Sequence, residues 1–152
     1  MQIDDRTVQL LWRHFSDFSA GELYEMLRFR QAIFVVEQAS PYPDLDGLDQ
    51  SAHHLLLQID ATLAGYLRLI PALGEKRVTV GRVAVARAHR RHGLARLMVK
   101  EALVRCRRYC AHGTVALSAQ IYLLPFYESL GFHPTSAPYD DYGVAHIDMT
   151  LR

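Results

Sequence analysis

Residues 78–95, VTVGRVAVARAHRRHGLA, place a valine-rich strand, a short basic loop and the first turn of a long helix in direct succession. The strand half is β-branched and free of proline, which suits extended backbone. The helix half is rich in leucine, alanine and arginine, all good helix formers. The loop between them runs straight into a helix N-terminus. The first N–H groups there have no intrahelical partner, and the helix dipole adds partial positive charge. A terminus of this kind is an anion site. Gly93 lets the backbone approach a bulky phosphate, and small Ala95 keeps the next turn out of its way. Four arginines and two histidines between Arg82 and His92 add positive charge. The chemical expectation is that Arg90, Arg91, His92, Gly93, Leu94 and Ala95 hold a phosphate or pyrophosphate.

The rest of the chain must supply a fold around this turn. A chain of 152 residues suits one domain, and with half its residues hydrophobic it can bury a real core. A formal net charge of +1 provides no global field to drive it onto nucleic acid or a membrane. No apolar run approaches the roughly 20 residues of a membrane span. The longest, residues 121–127, contains Pro125. The N-terminus carries Asp4 and Asp5 rather than a basic-then-apolar leader, so a cytoplasmic location is expected. Cys106 and Cys110 fall on one helix face and read as small core residues. A disulfide at that spacing within a helix is strained, and zinc needs more ligands, so no metal is expected.

In chain order, residues 8–15 read as a first strand, and Ser19-x-x-Glu22 as a capping box opening a helix that runs through Phe34. A polar loop with two prolines and a glycine follows, from Ala39 to Asp49, and is placed as a substrate wall. Residues 54–60 and 63–71 form a hairpin, and residues 78–86 a fourth strand. The long helix spans residues 93–110, with Ala95, Met98, Val99, Ala102, Leu103, Cys106 and Cys110 as its apolar stripe. Its other face, with Arg96, Lys100, Arg105, Arg107 and Arg108, reads as solvated. Residues 114–119 form a fifth strand, 122–130 a short helix, 132–135 a sixth strand, and 145–151 a last one, with a turn at 139–143. The mixture of strands and helices argues one layered α/β or α+β domain over residues 1–152.

A second stretch, Pro125-Phe126-Tyr127-Glu128-Ser129-Leu130-Gly131-Phe132, puts adjacent aromatics on the short helix before a Gly-Phe end. Together with Arg90-x-x-Gly93-x-Ala95 after a valine-rich strand, it resembles the GNAT superfamily of N-acetyltransferases. The resemblance covers nearly the whole chain. It narrows to the ElaA-like subfamily at Leu27-Arg28-Phe29-Arg30, at Glu37-Gln38, at Pro41-Tyr42-x-Asp44-x-Asp46-Gly47-x-Asp49, at Ser118-Ala119-Gln120 and at Gly143-x-x-His146-Ile147-x-Met149.

The resemblance implies a mixed, mostly antiparallel sheet of six to seven strands flanked by about four helices, splayed between the fourth and fifth strands. It implies acetyl-CoA as donor, with the pyrophosphate on residues 90–95 and the pantetheine arm along Val83, Ala84 and Val85. The Val83 N–H polarises the acetyl carbonyl by the same analogy, beside Phe126 and Gln120, the latter standing where the family has an asparagine. Tyr127 occupies the place of the tyrosine that faces the cofactor sulfur and donates a proton to the departing thiolate. The acceptor is then a small-molecule or peptide amine, and a homodimer is a candidate assembly. An amine near pKa 10.4 must lose a proton before it attacks. The fourth strand points Thr79 and Gly81 inward, so the base is sought elsewhere. Glu37, His54 and His146 are candidates, each also readable as a structural hydrogen-bonding residue. Glu37, Gln38, Tyr42, Asp46 and His146 are candidates for the acceptor wall. Arg30 and Arg82 read either as partners for Glu37 or Asp46 or as ligands for an acidic acceptor. Two other functions stay open: an acyl-CoA-binding module without turnover, and an acyl-homoserine-lactone-synthase-like acyltransferase.

Overall fold

The computed structural model describes residues 2–151. Its strands are β1 (Gln2–Ile3), β2 (Arg6–His14), β3 (His53–Ile59), β4 (Thr62–Ala72), β5 (Arg77–Val85), β6 (Thr114–Gln120), β7 (His133–Pro134), β8 (Tyr139–Asp141) and β9 (Val144–Leu151). Its α-helices are α1 (Ala20–Gln31), α2 (Leu94–Tyr109) and α3 (Leu124–Glu128). One sheet runs in the order β1-β2-β3-β4-β5-β6-β9-β7, with β8 paired to β9. Every pairing is antiparallel except β5 with β6.

The expected class holds, but among the described residues there are nine strands instead of six to seven and three α-helices instead of about four. The additional strands are β1 and β8, of two and three residues. Strands this short have no period to read. The turn before β2 rests on positive φ at Asp4 and Asp5, and that before β9 on Tyr142 and Gly143. The first helix also ends sooner than expected. It begins at the Ser19–Glu22 capping box, with bonds of 3.1 and 2.9 Å. After Gln31 it widens into a π-helical turn over Ala32–Glu37, whose carbonyls at Ile33 and Val35 accept from Gln38 and Ser40. Such turns are uncommon and occur often at functional sites. Here the turn leads into the 39–52 loop. The short helix before the Gly-Phe pair opens as a 3-10 turn, Ile121–Leu123, because Pro125 near its start has no N–H to donate.

The sheet is covered on both faces. Leu55, Leu57, Leu67, Leu69, Val78 and Val80 face Met98, Val99, Ala102 and Cys106 of α2. Leu56 and Tyr66 face Met26 of α1. This is why β3 reads as an unbroken Leu55-Leu56-Leu57 run instead of alternating. Burying each such side chain contributes on the order of 1.5–3 kcal/mol. Gly65 allows the closest approach: a Cβ there would lie 3.0 Å from the Met98 sulfur and 3.1 Å from Leu57.

Two irregularities open the sheet at its centre. β5 and β6 pair only from Arg77↔Thr114 to Thr79↔Ala116, while β6 stays on β9 as far as Gln120↔His146. Beyond Thr79 the two strands diverge. On its other edge β5 carries a bulge: Tyr66 pairs with Ala84 and Arg68 with Gly81, so Leu67 alone opposes Arg82 and Val83. Arg82 takes φ +54°, a conformation that costs a residue with a Cβ about 1–3 kcal/mol.

Candidate active site

The basic loop folds as its composition suggests. A 3-10 turn over Arg87–His89 leads to extended Arg90, then Arg91 at φ +66° and Gly93 at φ +75°. α2 starts at Leu94, and its first internal bond runs from the Leu97 N–H to the Gly93 carbonyl. Among the described residues, the amides of Arg91 through Arg96 have no main-chain acceptor. They form an uninterrupted row of donors at a helix start. No heavy atom lies within 4 Å of the Cβ position at Gly93, so this approach is open.

The Arg90 side chain has a separate task. Its Nε donates to the Val85 carbonyl at 2.9 Å, and its two terminal nitrogens donate to the Glu37 carboxylate at 3.0 and 2.6 Å. This fork pins the end of β5 to the π-helical turn. The hydrogen bond from Arg90 holds the Glu37 carboxyl below the usual carboxylate range, against burial and with help from the Arg90 and Arg87 charges. Glu37 lines the cleft as an ion-pair member, and a depressed carboxylate is a weak base.

From the loop, a cleft of about 1270 Å³ runs into the gap between β5 and β6 and out to the 39–52 loop. That exceeds the roughly 300–1,000 Å³ of most small-molecule sites. Val83, Ala84 and Val85 border it on one side, and Leu117 to Gln120 on the other. Arg90, Arg91, Gly93, Leu94 and Ala95 close one end, while the exposed His92 ring stands off the wall near the His89 carbonyl. Phe126 and Tyr127 form the floor. Tyr127 is 5% exposed and packs edge-on against Phe126 and Phe132, with ring centroids 4.9 and 5.9 Å away. Burial pushes its phenol up, so the ring keeps its proton at neutral pH. The Arg96 guanidinium lies 5.5 Å from the Phe126 ring centre and donates to the Ser129 hydroxyl at 2.6 Å.

The other end meets a buried ionic network. Arg30, with no exposed surface, donates to Asp44 at 3.1 Å and Asp49 at 2.6 Å. Arg68 binds Asp46 and, at 2.9 Å, Asp49. Arg82 reaches Asp44 at 2.8 Å and Asp46 at 3.2 Å, with its guanidinium 4.7 Å from the Tyr42 ring centre. Three arginines thus face three aspartates, and the 39–52 loop is clamped to α1, β4 and β5. Among the described residues, Arg68 Nε is the one buried side-chain polar atom without a hydrogen-bond partner.

Several sequence-stretch candidates come together on the cleft: Glu37, Gln38, Tyr42, Gln120, Tyr127 and His146. Thr79 and Gly81 also line it, as expected of inward positions on β5. His146 bonds the Val144 carbonyl through Nδ1 at 2.8 Å, which leaves the Nε2 lone pair free of protein partners among the described residues.

Besides His92, which stands off the wall, two candidates do not join them. His54 is fully buried away from the cleft wall, with Nε2 2.9 Å from the Asp49 carbonyl and Nδ1 on the Tyr66 hydroxyl. Nε2–H donates to the carbonyl, so Nδ1 accepts from the phenol and no lone pair remains for a substrate. Burial also lowers its pKa and keeps the ring neutral. His54 is a structural residue, not a base. Asp46 is likewise drawn into Arg68 and Arg82 and is absent from the cleft lining. Arg82 meets Asp46, one of the two pairings open for it, whereas Arg30 meets Asp44 and Asp49 instead of Glu37 or Asp46. Arg68 and Asp141 line the cleft without having been singled out. Arg68 had a readable signal: a lone charge within the apolar run of β4, which a doubly covered strand must pair.

Known proteins match this geometry and this sequence. Residues 20–152 match the family model described as an acetyltransferase (GNAT) domain. A UPF0039 protein of Synechocystis is 38% identical over 143 residues, covering 93% of each chain. Protein ElaA of Escherichia coli is 35% identical over 139 residues, covering 90% of this chain and 91% of its own. The ElaA crystal structure superposes with a TM-score of 0.90 over 96% of this chain and all of that one, at 33% identity. An acyl-CoA N-acyltransferase from Pseudomonas aeruginosa superposes with a TM-score of 0.89 over the same shares, at 35% identity.

Proposed function

The chain belongs to the GNAT acetyltransferase family, in its ElaA-like branch, and from that premise we propose that it transfers an acetyl group from acetyl-CoA to a primary amine by direct attack. The observation that carries this reading is the row of amides from Arg91 to Arg96, without acceptors among the described residues, at the mouth of the β5–β6 gap. Main-chain donors at a helix start suit a diphosphate. The gap beyond suits an extended arm that borrows hydrogen bonds from unpaired strand edges. The residues present therefore fit coenzyme A.

Bound acetyl-CoA would supply an activated acyl group and a thiolate leaving group. The chain's own residues do the rest. The amides past Arg90 and the charges of Arg87 and Arg91 hold the phosphates. Val83 to Val85 orient the arm, and the Val83 N–H is assigned to the acyl oxygen, where a fixed donor stabilises developing negative charge. The Tyr127 hydroxyl is assigned the proton that goes to the departing sulfur. Burial keeps its phenol protonated at neutral pH, so a proton is in place for the departing sulfur, and solvent returns one to the phenolate afterwards. The acceptor enters between the 39–52 loop and β9, where His146 Nε2 offers a lone pair to the incoming ammonium. With Glu37 held by Arg90 and His54 bonded at both nitrogens, His146 is the assigned base.

A panel of primary amines and amine-bearing peptides, assayed for thiol release from acetyl-CoA and for acetylated product by mass spectrometry, tests the reading. Thiol release coupled to an acetylated amine is expected. Tight acetyl-CoA binding with no product from any amine would assign the chain to binding without turnover.

A further inference from the structure

The cleft is charged unevenly. Glu37 and Asp141 are the carboxylates on its wall among the described residues. Glu37 is paired with Arg90. At the acceptor end, Arg68 and Arg82 are neutralised by Asp44, Asp46 and Asp49. Asp141 has no ion pair and no side-chain hydrogen bond among the described residues. At the phosphate end the imbalance is reversed, with Arg87 and Arg91 on the wall and without an ion pair among the described residues.

Asp141 is also held in place. It sits opposite Val144 on the β8–β9 hairpin, two residues along β9 from the His146–Gln120 rung. At about 3.4 Å per residue this is roughly 7 Å. The hairpin tip is anchored by the Ser40 hydroxyl donating to the Tyr142 carbonyl at 2.8 Å, and by Tyr42 edge-on against Tyr142 at 5.7 Å. Burial pushes the Tyr42 phenol up; Arg82 opposes this, and the nearby Asp141 charge adds to it.

We propose that Asp141 is a specificity-determining residue for the acetyl transfer proposed above, holding a second cationic group on the acceptor, several bonds from the nitrogen that reacts. The reacting nitrogen itself is not its partner. A carboxylate beside an ammonium stabilises the charged form and so opposes attack. The preferred acceptor class is therefore a diamine or a similarly dibasic amine, and acceptors with a carboxylate at that point are disfavoured.

The test compares an aliphatic diamine, the amino alcohol of equal chain length and the corresponding amino acid, over a series of lengths. The native chain should favour the diamine over the alcohol by about tenfold or more in kcat/KM, mostly through KM, with the amino acid poorest. Asp141→Asn should bring the diamine-to-alcohol ratio close to one, and Asp141→Lys should favour the amino acid. Because each ratio is taken on one preparation, partial misfolding cancels. A native ratio near one, or a ratio that Asp141→Asn leaves intact, would overturn the proposal. Calorimetric titration of the diamine into the CoA-loaded protein separates this from the parent reading. If no amine is acetylated, acetyl transfer fails, yet diamine binding weakened about tenfold by Asp141→Asn still upholds the carboxylate's role, and equal binding ends it.

Discussion

Single residues in the cleft are set by what already holds them. Glu37, His54 and His146 are all candidates for a base when only their identities are known. Arg90 takes Glu37, and Tyr66 with the Asp49 carbonyl takes both nitrogens of His54. His146 keeps Nε2 because its other nitrogen is satisfied within its own strand. Tyr127 is defined in the same way: its ring is wedged between Phe126 and Phe132, and its hydroxyl has no protein partner among the described residues. Tyr127→Phe is accordingly expected to lower kcat by about 10²- to 10⁴-fold while CoA affinity, measured by calorimetry, stays within a factor of a few. Turnover unchanged by the substitution would remove Tyr127 from the proton-donor role.

At the scale of elements, the start of α2 and the divergence of β5 from β6 form one device. The helix presents its donors where the strands part, so in the proposed reading a diphosphate on the former places its arm in the latter. Gly93 is where this is most easily broken. Its φ of +75° and the open space around its Cβ position mean that alanine adds only backbone strain, about 1–2 kcal/mol. Gly93→Glu adds a carboxylate beside the amides as well, and CoA binding should disappear in a calorimetric titration that Gly93→Ala largely passes. Undiminished binding by the glutamate variant would place the phosphates elsewhere. These elements were legible in the sequence because their signals are local: a β-branched run, a basic loop and a glycine before a leucine-alanine helix. The bulge at Arg82 was not legible, because a bulge is a mismatch between two strands and neither strand encodes it alone.

For the whole molecule, the ionic network and the buried histidines and phenols set the pH range of stability. Burial alone would raise the Asp46 carboxyl, but hydrogen bonds from Arg68 and the Leu48 amide, with the Arg68 and Arg82 charges, bring it down to about 2. Asp49 is lowered by Arg30 and Arg68 against the same opposition from burial. A carboxyl depressed on folding stabilises above its unfolded value of 3.8 and loses that contribution as pH falls through the folded value. Burial lowers His53 and His54 below 6.5, so the unfolded chain binds more protons there and stability begins to fall below about that pH. On the alkaline side, burial pushes the Cys106 thiol up to about 12 from 9.0, and it raises the Tyr66 and Tyr127 phenols too. The unfolded chain then releases protons that the native one keeps. Tm by scanning calorimetry should therefore be highest between about pH 6.5 and 9, fall gently below that range, and fall steeply between about pH 4 and 2. A Tm that stayed level from pH 7 to pH 3 would contradict the network's role.

What the sequence determined by itself is the glycine turn that opens the long helix, the order of strands and helices around it, and the tyrosine that follows the fifth long strand. Each rests on neighbours within a few residues, where periodicity, capping and turn chemistry act. The tertiary structure decided which charges are free. Arg30, Arg68 and Arg82 meet Asp44, Asp46 and Asp49 across separations of 14 to 38 residues, and Arg90 meets Glu37 across 53. Coulombic partners are chosen by distance in space, and at such separations only the packed sheet sets that distance. Among the described residues, that choice leaves Asp141 without an ion pair on the cleft wall.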